Sequence, residues 1–325
     1  MVRHSWIIFV VVAAAILGSS AAAANAAVHG VPSGASGTMA ANTKVLASAS
    51  HDISCKSNFT ISVINDVVGV EPGLSSNLTS LAGQLQQASS RLQSYANTGN
   101  LTIYKSYLLS TYDPLLKQIN SVMRTGLKNS NLTSNETALI RQQYNSSSFL
   151  YKSCNFKAVR TYASERLAAF SGYISYYQNI SDNMSARGID TSAINTLLRN
   201  AQDQVVSPFA QGINSSTNAT QIMGAVARYC LFNECPGGSD FHLSAKFEIN
   251  KTAAIIASVN SLTNGTANTA QAQSYLSDAG DMLSGVGSST YTGGQQAMIF
   301  GNLTMAANSL RSVISGKASN GGKNG

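Results

Sequence analysis

Charge is what this chain has least of. Asp, Glu, Lys and Arg make up 11% of its 325 residues, against about 25% in an ordinary globular protein. A chain so poor in charge has to solvate itself through Asn, Gln, Ser and Thr. The 21 basic and 14 acidic residues are spread thinly, for a formal net charge of +7. The nearest thing to a basic group, Lys152, Lys157 and Arg160, recurs at helical spacing and reads as a solvated face. A nucleic-acid surface needs denser Lys and Arg. Histidine is also scarce: beyond residue 29 only His51 and His242 occur. With so few, no Ser-His-Asp or Cys-His arrangement can be proposed from spacing, and no Gly-rich phosphate loop lies between a strand and a helix. Period-two alternation is missing too, which excludes a sheet as the organising element.

What the chain does have is a three-to-four-residue apolar period. Leu74, Leu78, Leu81, Leu85, Ala88, Leu92 and Tyr95 step by alternate fours and threes, the seam of a helix packed on other helices. Phe156, Val159, Ala163, Leu167, Phe170, Ile174, Tyr177 and Met184 form a second stripe. It ends at Arg187-Gly188-Ile189-Asp190-Thr191-Ser192, after which Ile194, Leu197, Ala201 and Val205 resume. Gly188 suits the left-handed residue that closes a helix, and Asp190, Thr191 or Ser192 supplies an oxygen to cap the next. Gly69-Val70-Glu71 before the leucine seam mirrors this turn, a degenerate repeat of helical hairpins. The expected fold is therefore all-α, an elongated multi-helix bundle open to division into two sub-bundles.

Taken in order, residues 1–26 read as an export signal: Arg3 and His4, the apolar run Ile7–Leu17, then Ala24-Asn25-Ala26 as a cleavage site. The run is about 11 residues, short of the ~20 that span a bilayer, so a membrane is met only through residues 7–24 if the signal stays uncleaved. Residues 27–54, rich in Gly, Ser and Ala, read as a flexible lead. The helical bundle is expected over 55–235. Asp113-Pro114 marks a kink or restart within it, and the course of residues 128–150 is open because Asn145-Ser146-Ser147-Ser148 is a poor helix former. Cys235-Pro236-Gly237-Gly238 is the sharpest break. A C-terminal hairpin or sub-bundle follows over 236–315, with one helix carrying Phe247, Ile255, Val259 and Leu262, another Tyr275, Leu276, Ala279 and Leu283, and a last one Ile299, Leu303, Ala306, Leu310 and Val313. Residues 316–325 read as a disordered tail.

Four cysteines in an exported chain imply two disulfides, for which three pairings exist. Cys230 and Cys235 are close enough in sequence to close a small loop, leaving Cys55 with Cys154. That pairing is compatible with a bundle in which 134–150 is a separate descending helix. A metal site from Cys230, Cys235 and His242 with Asp240 is the alternative use of the second pair. Tyr162, Phe170, Tyr173, Tyr176 and Tyr177 concentrate aromatic area, either as packing or as a ligand platform.

Asn-x-Ser/Thr without Pro occurs at Asn58, Asn77, Asn100, Asn131, Asn135, Asn145, Asn179, Asn183, Asn214, Asn218, Asn250, Asn264 and Asn302. Chance at this composition gives about six such sequons, so N-glycosylation is expected. The export signal, sequon density and Gly-Ile-Asp-Thr-Ser hairpin turn together resemble exported, N-glycosylated helical proteins of archaea. The resemblance covers residues 55–315 loosely and implies surroundings and fold style, with no activity attached. The functional expectation is a secreted or cell-surface scaffold or interaction protein, non-enzymatic, with no cofactor, whose partners are other envelope proteins or itself. The alternative is a bundle that holds a small apolar ligand or lipid among residues such as Leu85, Phe170 and Ile174.

Overall fold

A computed structural model describes residues 36–229, 239–285 and 293–321. Every regular element among them is helical. In chain order they are α1 (Ser36–Val70), a single 3-10 turn Pro72–Leu74, α2 (Ser75–Asn97), α3 (Leu101–Tyr107), a π turn Leu108–Tyr112, α4 (Asp113–Asn129) and α5 (Ser134–Ser185). After these come α6 (Ser192–Ala201), a second π turn Gln202–Val206, α7 (Ser207–Ser215), α8 (Ala219–Tyr229), α9 (Ser239–Leu262), α10 (Ala270–Gly285) and α11 (Gly293–Gly321). The all-α expectation holds.

The chain divides into two compact units. The first comprises Ser36–Arg166 with Ile213–Gly224, and the second Leu167–Gly212 with the described residues from Ala225 onward. The division at 235 expected from the Cys-Pro-Gly-Gly break is not where the contacts separate. The first boundary falls within α5, whose apolar stripe gives no sign of it because both halves carry the same helical period, and the others fall within α7 and α8.

In the first unit α1, α2 and α4 share one core, with Ile64, Leu78, Leu85, Leu92, Tyr104, Leu108 and Ile119 fully enclosed. The leucine seam lies where its spacing put it. The flexible lead is corrected: from Ser36 the chain is already helical, and Val45, Leu46, Ala49 and Ile53 are buried. Their i, i+4, i+8 period is diluted by Ser, Ala and Thr, so composition hid a real stripe; residues 27–35 lie outside the described residues. Residues 134–150 are corrected too, being the first part of the continuous α5 and not a separate descending helix. Tertiary contacts override the weak propensity of the serine run. Ser147 Oγ meets Ser62 Oγ at 2.9 Å, and Tyr144 and Tyr151 pack on Phe59 at 5.7 and 4.9 Å between ring centroids.

The hairpin turns are built from glycine and asparagine. Gly188 has φ +76°, its N–H donates to Ser185 O, and Ile189 N–H reaches back to Met184 O, the paired bonds of a Schellman ending. The oxygen that caps the next helix comes from Asp190, which accepts from Ser192 N–H at 2.9 Å. The same ending recurs after α9, with Asn264 (φ +46°) in the left-handed position and Gly265 N–H on Asn260 O.

Two prolines set two π turns. Asp113 N–H bonds Leu108 O, and Ser207 N–H bonds Gln202 O, in each case on the residue before Pro114 or Pro208. A proline has no amide to continue the α ladder, and one wider turn absorbs the break. The buried register of this stretch runs one residue later than its spacing put it, beginning at Leu198, ahead of the second π turn. Leu198 and Val206 are enclosed, with Leu197, Ala201 and Val205 on their half-buried flank.

In the second unit Phe241, Ala245, Ala279, Leu283, Ile299 and Leu303 form one cluster, and Ile256, Ala272 and Leu310 another. Leu262 was expected in the α9 stripe, but it is the last residue of that helix and is 83% exposed. The tail expected from residue 316 is helical as far as Gly321, since Lys317, Ala318 and Ser319 extend an existing ladder at little cost.

Candidate functional site: a polar seam beside the disulfide

Charged and phenolic groups are concentrated inside the first unit, on the turns of α1 that face α5 and the first π turn. Cys55 of α1 is joined to Cys154 of α5, with 5.7 Å between Cα atoms. One turn toward the N-terminus, Asp52 Oδ1 accepts from Asn155 Nδ2 at 2.5 Å. On the neighbouring face Lys56 is 2% exposed. Ser57 Oγ donates to Ile53 O and lies 2.9 Å from Tyr112 Oη, which is itself 3.2 Å from Ile53 O. The π turn brings Tyr112 and Asp113 to this place, and Asp113 is the first of the charges holding Lys56 protonated. The Tyr104 hydroxyl and Asp113 Oδ1 are buried with no hydrogen-bond partner among the described residues. Farther along α5 a fully buried Arg166 donates Nη1 to Tyr162 Oη at 2.8 Å and stacks over that ring.

Burial dominates the electrostatics. It pushes the Asp52 carboxyl above its ordinary range, against the Asn155 hydrogen bond and the charges of Lys56 and His51. It pushes the Lys56 ammonium below its ordinary value, against Asp113 and Asp52. The phenols of Tyr104 and Tyr112 are driven up by desolvation and stay protonated at any physiological pH. A buried ammonium depends on the two carboxylates near it, because removing one side leaves the other charge uncompensated.

Beside the disulfide lies a groove of 180 Å³ lined by Cys55, Asn58, Phe59, Ser62, Ser147, Leu150, Tyr151 and Cys154. The ligand atoms of His51, Cys55 and Cys154 fall within 4.8 Å of one another. Both sulfurs are spent on each other, so in the oxidised protein the trio links two helices and leaves one imidazole at the surface.

The residues singled out in the sequence are distributed as follows. Cys55 and Cys154 meet, while Cys230 and Cys235 lie outside the described residues, as do residues 1–26. His242 and Asp240 are on the first turn of α9; burial and Lys246 lower the His242 pKa. The tyrosine concentration is packing: Tyr177 stacks on Phe247 at 4.1 Å and donates to Ser244 Oγ at 2.8 Å, and burial raises its phenol to about 12. Lys152, Lys157 and Arg160 are exposed. Of the thirteen sequon asparagines, Asn250 and Asn302 are half-buried and the other eleven are exposed.

Sequence reading missed Lys56 and Arg166. The signal was there: each occupies a position of an apolar stripe, Ile53-Lys56-Thr60-Ile64 and Tyr162-Arg166-Phe170-Tyr173, where a cation at a core position calls for a buried partner. No known protein family, curated protein or solved structure matches this chain. The site therefore has to be read from its own chemistry.

Proposed function

We propose that the protein is an exported, N-glycosylated helical scaffold of the cell surface or surroundings, similar to exported helical proteins of archaea, and that it works by presenting surface to envelope partners or to itself rather than by catalysis. The observation that carries this reading is the disposition of the sequons: thirteen asparagines spread over both units, and none of them buried. The Cys55–Cys154 bond supports it, because such a link persists in an oxidising compartment. Among the described residues no helix is long and apolar enough to cross a membrane, so attachment to a membrane would fall to residues 7–24. Intact mass and peptide mapping of the native protein test the proposal. Expected are a start near Ala27 and hexose-bearing peptides at several sequons; Met1 retained with every Asn bare overturns it.

A second reading, a carrier of a small apolar ligand or lipid, rests on an open trough of 480 Å³ in the second unit. Ala253, Ile256, Ala257, Asn260, Gln273, Leu276 and Ser277 of α9 and α10 line it, and its volume is in the range of small-molecule sites. Leu85 and Phe170, the residues expected to line such a site, are core side chains of different units. Native mass spectrometry that retained a lipid adduct, lost on Leu276→Glu, would favour this reading over the scaffold.

A further inference from the structure

The thirteen sequons are not equivalent in the folded chain. Glycan transfer joins the side-chain nitrogen of Asn to the anomeric carbon of a lipid-linked oligosaccharide. The bond from that carbon to phosphate breaks, the lipid phosphate leaves with the electron pair, and the amide nitrogen gives up a proton. The transferring enzyme recognises Asn together with the hydroxyl two residues on. In an α-helix those two side chains point about 200° apart, so a helical sequon whose hydroxyl faces the core cannot be read without unwinding.

Three sites are of that kind. Asn58 is exposed, but Thr60 is wholly buried with its hydroxyl on Lys56 O at 2.9 Å, and Phe59 between them is stacked on Tyr151. Asn179 is exposed, but Ser181 is wholly buried with its hydroxyl on Asn195 Oδ1 at 2.8 Å. Asn250 is half-buried and Thr252 is 4% exposed. The fold tolerates the product at these places, since the asparagines reach solvent, and hides what the reaction must touch.

Four others are of the opposite kind. Asn100, Asn131, Asn218 and Asn264 sit between helices, and Thr102, Thr133, Thr220 and Thr266 are exposed; the Thr133 hydroxyl donates to Glu136 Oε2 and the Thr266 hydroxyl to Thr263 O, surface bonds that open without unwinding a buried helix. Asn100 and Asn218 also cap helices, accepting from Ile103 N–H at 3.1 Å and Gln221 N–H at 3.0 Å through Oδ1. A glycan is attached to Nδ2, so both caps survive modification.

Resting on the glycoprotein reading, we infer that Asn58, Asn179 and Asn250 are modified only on the unfolded chain, and that Asn100, Asn131, Asn218 and Asn264 remain acceptors after folding. Asn58 is three residues from Cys55, so closure of the Cys55–Cys154 bond ends the time in which Asn58 can be modified. Occupancy at the three closed sites then records whether transfer preceded folding.

The test uses full-length protein made without glycans, with the disulfide intact. It is offered in parallel with its own proteolytic peptides to a membrane preparation of oligosaccharyltransferase and lipid-linked oligosaccharide, and each site is mapped. The expected result is that the four turn sites are modified in both samples, while the three closed sites are modified in peptides at least ten-fold more than in the folded protein. Equal modification of Asn58, Asn179 and Asn250 in the two samples overturns the inference, as does refusal of the turn sites by the folded protein or of all seven by the peptides. Because the acceptor is prepared bare, this ratio is set by the fold alone, and the native protein's own glycans are tested separately by its peptide map.

Discussion

At the scale of single residues, the shortage of charge is met by hydroxyls that bond their own helix. Ser57 and Thr60, both buried, donate to the carbonyls of Ile53 and Lys56, and exposed Ser90, Thr161 and Thr304 do the same four residues back. A hydroxyl satisfied this way can face core or solvent, which lets a Ser/Thr-rich chain build long helices. Lys56 is charged as well as buried, and Asp113 and Asp52, the latter four residues back on the same helix, hold it protonated. Replacing it by Met leaves two half-buried carboxylates without their nearby cation; a fully buried pair broken on one side costs about 3–5 kcal/mol, and the partial exposure of Asp52 and Asp113 puts this loss below that range. The sign with pH follows from Asp52. Burial already raises its folded pKa above the unfolded value, and loss of Lys56 raises it further, so protonation favours the folded state. The penalty of Lys56→Met should be full near neutrality and shrink as pH falls through the carboxylate range. Urea midpoints of wild type and variant at neutral and acid pH measure it, and a gap that widened on acidification would contradict the ion-pair account. Glu136 acts in the reverse direction. Its carboxylate accepts from Thr133 N–H at 2.7 Å while Glu136 N–H bonds Thr133 Oγ1, and that backbone bond lowers its pKa. This capping box is present above the unfolded carboxylate pKa and is lost as pH falls through the folded one. Thr133→Ala should cost ~1 kcal/mol, seen as faster amide exchange in the first turn of α5.

At the scale of elements, the leucine seam of α2 carries the clearest energetic consequence. Leu81 and Leu85 are buried, so either one changed to Ala should lose about 2–5 kcal/mol; a shift in the denaturation midpoint no larger than that of a surface substitution would place the seam outside the core. Gly126 tests the contact between α4 and the turn before α2. A Cβ built there meets Leu74 Cδ2 at 2.5 Å, so Gly126→Ala should destabilise despite its better helix propensity, and Leu74→Ala should relieve that conflict in a double-mutant cycle. Elements of this sort were legible because strong residues repeat at the helical period: the α2 seam, the Gly188 turn and the last helix from Ile299 to Leu310 lie as their spacing predicts. What was not legible has a physical cause in each case. Val45, Leu46 and Ala49 are too small and too diluted to announce the start of α1. The serine run at 145–148 is helical only because Phe59 and Ser62 are across from it. The stripe after Gly188 is displaced by one residue from Leu198 onward and then crosses a π turn before Pro208, which no fixed period can follow. Asp52 and Lys56 are an i,i+4 pair masked within the stripe of α1, and only the fold brings Asp113, far away in sequence, to them.

At the scale of the whole molecule, the disulfide is the strongest constraint placed on the first unit, and it separates covalent topology from packing. Cys55 and Cys154 are 99 residues apart, and the chain-entropy account gives roughly 4–5 kcal/mol for closing a loop of that length. The loop contains α2, α3 and α4 entire, so the bond restricts the unfolded ensemble of nearly all of the first unit's helices at once. Cys55→Ser should therefore lower stability by an amount of that order, and reduction of the wild type should give the same loss with no further loss in the variant. Closing Cys230 to Cys235 restrains so few residues that Cys230→Ser should change little. The two units give the experiment an internal reference. On Cys55→Ser, hydrogen exchange should accelerate in peptides from α1, α2 and α4, while peptides from α10 and α11, whose core is formed by Ala279, Leu283, Ile299 and Leu303, should keep their protection. Equal acceleration in both units would mean that they unfold as one cooperative body. Protection unchanged in both would mean that packing, with the buried Lys56 cluster at its centre, already specifies the first unit without its covalent link.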